Sequence, residues 1–124
     1  MRALEGLDPG ALPLQALVDA GEPVVLRGIV RDWGLVQAGL RGPHEAMAYL
    51  RRFDAGSPVP YSFGDPGIEG RPFYTADFTG LNIEVRRGVL SEVLEAISEH
   101  LASPSPPTYY VASLPVARAL PGFT

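Results

Sequence analysis

The sequence predicts one α+β domain over residues 1–124, with short helices packed on a small mixed or antiparallel sheet. Short β-branched or alternating runs are interspersed with segments of helical period, and no internal repeat or linker separates them. With 14 glycines and 13 prolines, the chain has many breakers, which favours short elements and turns over a bundle of long helices. A length of 124 residues fits a single domain.

The composition excludes several classes of protein. Hydrophobic residues make up 46% and charged residues 19%, whereas a disordered chain needs low hydrophobicity and high net charge. The absence of cysteine excludes a disulfide scaffold, a thiolate metal site and a cysteine nucleophile. Fourteen acidic residues against ten basic ones, all arginine, give a net charge of −4, so nucleic acid is not an expected partner. No apolar run has membrane-spanning length and the N-terminus does not resemble a signal peptide, so no membrane partner and a cytoplasmic location are expected.

In the first half of the chain, proline and glycine delimit the predicted elements. A helix is expected over 13–20 and a buried strand over 23–28, followed by an irregular stretch that contains Gly34 and Gly39. The next helix begins at Pro43 and ends at Asp54 and Gly56. Its apolar stripe comprises Ala46, Met47, Leu50 and Phe53.

The second half alternates strands with one clear helix. Strands are predicted over 59–63, 71–74 and 108–113, with a further extended segment over 81–87 and a helical turn within 114–121. The helix over Ser91–Ala102 has Ser91 as its predicted N-cap. Its stripe of Leu94, Ile97 and Leu101 should be buried, with Glu92, Glu95 and Glu99 in water. Five aromatic residues (Tyr61, Phe63, Phe73, Tyr74 and Phe78) are expected to build core more often than to line a pocket.

The residues alone indicate no self-sufficient active site. His44 and His100 lack a second histidine or a carboxylate at metal-ligand spacing on the same helix face, so no metal ligand is predicted. Asp65, Glu69 and Asp77 are close in sequence, but acidic loops are common, so no catalytic residue is predicted.

A series of short motifs in a fixed order is more informative. It comprises Pro23 to Gly28 followed by Asp32-Trp33, then Ala48-Tyr49-Leu50, Pro58-Val59, Gly70-Arg71-Pro72-Phe73-Tyr74, Gly80-Leu81-Asn82, the helix from Ser91 to Leu101, Tyr109 to Ser113, and Leu120 to Phe123. Over residues 22–123 this series resembles the bacterial cupin-like proteins related to the Jumonji-C oxygenases. Pro72 and Leu81 stand where that pattern has aromatic residues.

The resemblance implies an incomplete cupin/Jumonji-C-like N-terminal region. The family's Fe(II) ligands, a His-x-Asp/Glu and a distant histidine, belong to a barrel portion that follows, so the metal site is expected to be absent from this chain. The complete domain would use Fe(II) and 2-oxoglutarate. By the same resemblance, Tyr110 matches a pocket tyrosine that contacts the co-substrate carboxylate, although a tyrosine merely buried in a strand is equally compatible. Asn82 and Tyr74 match family positions without an assigned role.

Two functions follow as hypotheses. In the first, the chain is part of an Fe(II)- and 2-oxoglutarate-dependent oxygenase and supplies structural elements and one pocket wall, with the missing C-terminal barrel as its partner. In the second, it is a non-catalytic module that associates with itself through uncovered strands. A homo-oligomer, most simply a dimer, is then expected, with Val24, Leu26, Tyr110 and Val111 near its interface. The chain alone is expected to be inactive.

Overall fold

A computed structural model describes residues 1–123, and Thr124, the last residue of the expected domain, lies outside them. The architecture is α+β, as predicted, with five short helices and two small sheets. The strands are β1 (Arg2–Glu5), β2 (Val24–Arg27), β3 (Pro58–Gly64), β4 (Glu84–Val89) and β5 (Thr108–Tyr110); the helices are α1 (Leu14–Asp19), α2 (Gly34–Arg41), α3 (Pro43–Arg51), α4 (Leu90–Glu99) and α5 (Val116–Ala119). Short 3₁₀ turns occur at Pro9–Ala11 and Pro66–Ile68.

The first sheet is a parallel ribbon of β1 and β2 in which Arg2 pairs with Val24 and Glu5 with Arg27. The strand predicted at 23–28 is confirmed, but the expectation that it is buried is wrong, because its residues alternate between half-buried and exposed and Val25 is 40% exposed. A ribbon of two strands of four residues cannot cover both of its faces. Its partner β1 was not predicted, since Arg-Ala-Leu-Glu has neither β-branched residues nor a turn signal.

The second sheet is antiparallel, with strand order β4-β3-β5. The strands predicted at 59–63 and 108–113 are confirmed as β3 and β5, although β5 is shorter, and the extended segment predicted at 81–87 forms β4. The strand predicted at 71–74 is wrong. Within that segment Tyr74 forms only an isolated bridge to Leu81, because Pro72 lacks the N–H that a ladder requires.

Helices α1 and α3 lie where the sequence predicts them, and α3 begins at Pro43. The irregular stretch expected around Gly34 and Gly39 is instead helix α2, which packs against α3. Gly34, its first residue, lies so close to Tyr49 of α3 that an added Cβ would overlap the tyrosine ring. This glycine therefore permits close packing of two helices rather than breaking one.

The core lies between α3, α4, α5 and one face of the antiparallel sheet. It comprises Met47, Val59, Leu90, Leu94, Ala119 and Leu120, with Leu50, Phe53, Ile97, Val111, Leu114 and Phe123 packed against it. Rings of Tyr49, Phe53 and Phe123 extend this core, with centroids 5.2 to 6.2 Å apart. Among residues 1–123, no helix has the length and hydropathy needed to cross a bilayer.

Helix α4 confirms most of its predicted amphipathic pattern. Leu94 is buried, Ile97 is half-buried and the three glutamates of the outer face are exposed. Leu101 is 43% exposed, contrary to prediction, because the helix ends at Glu99 and the stripe ends with it. The predicted N-cap is also wrong, since Val89 holds that position and Ser91 lies inside the first turn.

The five aromatic residues between 61 and 78 divide into two groups. Tyr61 and Phe63 are half-buried in β3, as expected of core residues. Phe73, Tyr74 and Phe78 are 63%, 56% and 73% exposed, so the expectation that this cluster builds core is wrong for these three. These three residues belong to an exposed loop, and their side chains do not pack on the core.

Candidate functional site

The two faces of the antiparallel sheet differ in how they are covered. Successive residues of a strand point to opposite faces, so Val59, Tyr61 and Phe63 share one face, and Pro60 and Ser62 share the other. The first face is covered, because Val59 belongs to the core together with Leu90 and Leu94 of α4. In the sheet register, Ser62 pairs with Val85 of β4 and with Tyr110 of β5, so these three residues form one row across the second face.

The second face, which we call the open face, is uncovered among residues 1–123. Val85 is 72% exposed, Tyr110 is 57% exposed, and Pro60 is exposed as well. A shallow cleft of about 80 Å³ runs between Pro60, Ser62, Val85 and Tyr110. Binding sites for small organic molecules are usually about 300–1,000 Å³, so this row could form one wall of such a site and not a complete site.

The neighbouring tyrosine of β5 lies on the covered face. Tyr109 contacts the rings of Phe63 and Tyr61, with centroids 5.4 and 6.1 Å away. The Arg86 guanidinium stacks on Phe63 at 3.7 Å from the ring centroid. Tyr109 and Tyr110 therefore point to opposite faces, as neighbouring residues of a strand do, and Tyr110 is the more exposed of the two.

Both histidines lie within hydrogen-bond distance of polar groups of helix α4. Nδ1 of His100 donates to the carbonyl oxygen of Ala96 at 2.8 Å, which satisfies a carbonyl near the end of α4. Nδ1 of His44 lies 3.0 Å from the Ser98 hydroxyl, so it joins α3 to α4. Across the described part of the chain, no group of three His, Asp or Glu side chains could hold a metal ion. These residues do not fit an Fe(II) site, so no catalytic step through iron is assigned to them.

Asn82 has a structural role in the exposed loop, which the sequence did not reveal. Its Oδ1 accepts a hydrogen bond from the Phe73 N–H at 2.7 Å, and its Nδ2 donates to the Arg71 carbonyl at 3.0 Å. The Asn82 N–H also donates to the Phe73 carbonyl at 2.9 Å. Asn82 therefore clamps the start of the loop to its end, while Tyr74, beside it, forms the bridge to Leu81.

Asp77 organises the tip of the same loop. Its Oδ1 accepts hydrogen bonds from the Thr75 hydroxyl at 2.6 Å and from the Thr79 N–H at 3.1 Å. The Thr75 hydroxyl, the Thr79 N–H and the Thr79 hydroxyl together lower the pKa of Asp77 to about 2. Hydrogen bonds of this kind stabilise the carboxylate and leave no proton for acid catalysis near neutral pH.

The fold thus defines an α+β domain whose antiparallel sheet is covered by helices on one face and presents a tyrosine on the other. A family model described as a cupin-like domain matches residues 10–124, and the chain belongs to that family. This confirms the resemblance to cupin-like proteins drawn from the ordered motifs. Neither the curated proteins nor the solved structures contain a match to the chain.

Proposed function

We propose that this chain is the N-terminal portion of a cupin-like oxygenase that depends on Fe(II) and 2-oxoglutarate. In this proposal it supplies structural elements and one wall of the pocket, and the metal ligands come from a C-terminal barrel. The observation that carries the proposal is the row of Ser62, Val85 and Tyr110 on a face that no described residue covers. Membership of the cupin-like family supports the part of the proposal that places the chain in a cupin-like protein.

In this proposal Tyr110 binds the co-substrate. Its phenol would donate a hydrogen bond to a carboxylate oxygen of 2-oxoglutarate, and its ring would pack against the pocket wall. Val85 and Pro60 would provide apolar surface beside it, so that water is excluded from the bound carboxylate when the barrel covers this face. A bacterial origin and a cytoplasmic location remain predictions.

The test begins with the gene. A reading frame that continues past Thr124 and encodes a His-x-Asp/Glu and a distant histidine is expected. The complete product should then form succinate from 2-oxoglutarate when Fe(II) is supplied. Replacing Tyr110 by Phe should raise the KM for 2-oxoglutarate about 10-fold or more, because a hydrogen bond to a charged group is lost.

Tyr109→Phe is the matched control, since it changes the adjacent tyrosine on the covered face and should leave that KM within about twofold. A reading frame without those ligands would contradict the proposal. An unchanged KM in Tyr110→Phe would contradict the role of Tyr110.

A second candidate function is favoured by the same open face. The outer edges of β4 and β5 have no strand partner among the described residues, and unpaired edges recruit other chains. A self-associating, non-catalytic module would cover the face with a second copy, as a two-fold dimer. Tyr110 is available for this contact and Val24 and Leu26 are half-buried, whereas Val111 already packs against the core.

Sedimentation equilibrium of the 124-residue chain tests the second candidate. A dimer weakened by Val85→Glu on the open face would support self-association. A single species of 13.3 kDa at high concentration would contradict it. A stop codon after Thr124 would favour this module over the oxygenase.

A further inference from the structure

A second cleft, of about 280 Å³, lies between the start of β3, the middle of β4 and α5. It is lined by Ser57, Pro58, Val59, Pro60, Arg87, Pro115, Arg118 and Ala119. Three prolines make its walls rigid and largely apolar, and two arginines are the charged groups among its described lining residues. No carboxylate lines it among residues 1–123. We call it the arginine cleft.

Among the described residues, the two arginines of this cleft lack the glutamate partner that four of the other eight arginines have. Arg27, Arg41, Arg51 and Arg86 each form an ion pair with a glutamate. Arg87 and Arg118 form none with any residue that the structure describes. What sets Arg87 and Arg118 apart is that they line one cleft together without a lining carboxylate, which gives a local excess of positive charge in a chain with a net charge of −4.

Arg87 is held in place by the sheet. It pairs with Pro60 in the β3–β4 register, and its Nη2 donates to the Pro58 carbonyl oxygen at 3.2 Å. A guanidinium has five N–H donors, so this single hydrogen bond positions the group and leaves others for a ligand. Arg118 lies exposed in the last turn of α5, and the next residue, Ala119, is buried in the core.

We propose that the arginine cleft binds an acidic peptide, a short extended segment in which carboxylates alternate with apolar side chains. Guanidinium groups bind carboxylates in a bidentate geometry, so Arg87 and Arg118 would each take one acidic side chain. The apolar side chains between them would lie on Pro58, Pro60 and Pro115. Because Pro58 and Pro60 have no N–H to offer, recognition is through side chains rather than by addition of a strand.

The charge of the whole chain distinguishes this ligand from other anions. A nucleic acid or an anionic membrane would bring many negative charges close to a surface that is itself acidic overall. A short peptide places its few carboxylates only at the two arginines. A lone inorganic anion would leave the proline walls unused. By the sheet register Pro60 and Arg87 also lie on the open face, so the proposal is tested by binding to the 124-residue chain, with a readout that does not depend on oxygenase activity.

The experiment measures fluorescence anisotropy of a dye-labelled peptide of alternating glutamate and valine with the 124-residue chain. The peptide is expected to bind, and a peptide with glutamine in place of glutamate is expected to bind at least about 10-fold more weakly. Arg87→Gln and Arg118→Gln should each weaken binding by about 10-fold, and the double variant should abolish it. Arg71→Gln, which changes an exposed arginine outside the cleft, is the matched control and should change affinity less than twofold.

A charge-reversal variant keeps the test decisive. The variant with both Arg87→Glu and Arg118→Glu should no longer bind the acidic peptide and should instead bind a peptide of alternating lysine and valine. Equal binding of the glutamate and glutamine peptides would overturn the proposal, as would unchanged binding in the double glutamine variant. Displacement of the peptide by an equimolar amount of inorganic phosphate or of a short single-stranded DNA would also overturn it, because the cleft would then bind anions in general.

Discussion

Asp54 caps helix α4 from outside that helix, through Ser91. Its Oδ2 accepts hydrogen bonds from the Ser91 backbone N–H, at 2.8 Å, and from the Ser91 hydroxyl, while its Oδ1 accepts one from the Gly56 N–H at 3.0 Å. The first N–H groups of a helix have no partner within it. Because Asp54 lies 37 residues before Ser91, the cap joins the end of α3 to the start of α4 and belongs to the tertiary structure.

Replacing Asp54 by Ala should therefore destabilise the fold by about 1 kcal/mol, in the range of about 0.5–2 kcal/mol found for lost helix caps. Urea denaturation followed by circular dichroism measures the change. Asp19→Ala is the control: the Asp19 carboxylate accepts a hydrogen bond from the exposed Gln15 side chain, and its loss should change stability by less than about 0.5 kcal/mol. Equal losses in the two variants would show that the contact does not stabilise α4.

The same cap predicts a dependence on pH. Partial burial raises the pKa of Asp54, but hydrogen bonds from the Ser91 hydroxyl and from the Gly56 and Ser91 N–H groups outweigh it, so the pKa lies below 3.8. A lowered pKa contributes stability that is present above the unfolded-state pKa and is lost as pH falls through the folded-state pKa. The stability difference between the native chain and Asp54→Asn should be constant from about pH 7 to pH 5 and shrink below about pH 4. A difference that grows in acid would contradict this assignment.

Local patterns in the sequence predicted most elements but not their environment. Helices α1, α3 and α4 have an apolar period, and α1 and α3 also have a proline at their start, so their positions follow from short-range signals. The cap of α4 did not follow, since nothing near Ser91 indicates an aspartate from another element. The burial of β2 was also mispredicted, because a β-branched run fits a two-stranded ribbon as well as a sheet interior.

The site could be predicted only in part. The adjacent pair Tyr109 and Tyr110 predicts opposite faces by the strand period alone, and the structure agrees. Which face stays uncovered depends on where α4 packs, which the sequence pattern does not specify. The sequence does not predict the arginine cleft for a similar reason. Arg87 and Arg118 are 31 positions apart, and the packing of α5 beside β3 brings them to one cleft.

The close approach of α2 to α3 predicts opposite effects at two glycines of one helix. Gly34→Ala should destabilise the fold by about 1–3 kcal/mol, because the new methyl group would overlap the Tyr49 ring. Gly39 has open space around it, so Gly39→Ala should stabilise the fold by about 0.5–1 kcal/mol through helix propensity. Thermal or urea denaturation distinguishes the two. Stabilisation by Gly34→Ala would contradict the contact.

Because helix α4 ends at Glu99, replacing Leu94 and replacing Leu101 should have different effects on the stability of the fold. Leu94 is 7% exposed within the core, so Leu94→Ala should cost about 2–5 kcal/mol. Leu101 is 43% exposed beyond the last turn, so Leu101→Ala should cost less than about 0.5 kcal/mol. Urea denaturation of both variants provides the comparison. A loss above about 2 kcal/mol at Leu101 would mean that the helix continues and buries the whole predicted stripe.

The clamp made by Asn82 predicts a local change in the exposed loop. Asn82→Ala removes the acceptor of the Phe73 N–H, so hydrogen exchange at the Phe73 amide should accelerate about 2- to 10-fold, the equivalent of one hydrogen bond. Asn82→Asp is the matched control, because it keeps the acceptor for Phe73 and removes only the donor to the Arg71 carbonyl. Its Phe73 amide should stay protected. The exchange rates are measured by NMR. An unchanged rate at the Phe73 amide in Asn82→Ala would show that the backbone hydrogen bond from Asn82 to Phe73 holds the loop, and that the Asn82 side chain does not.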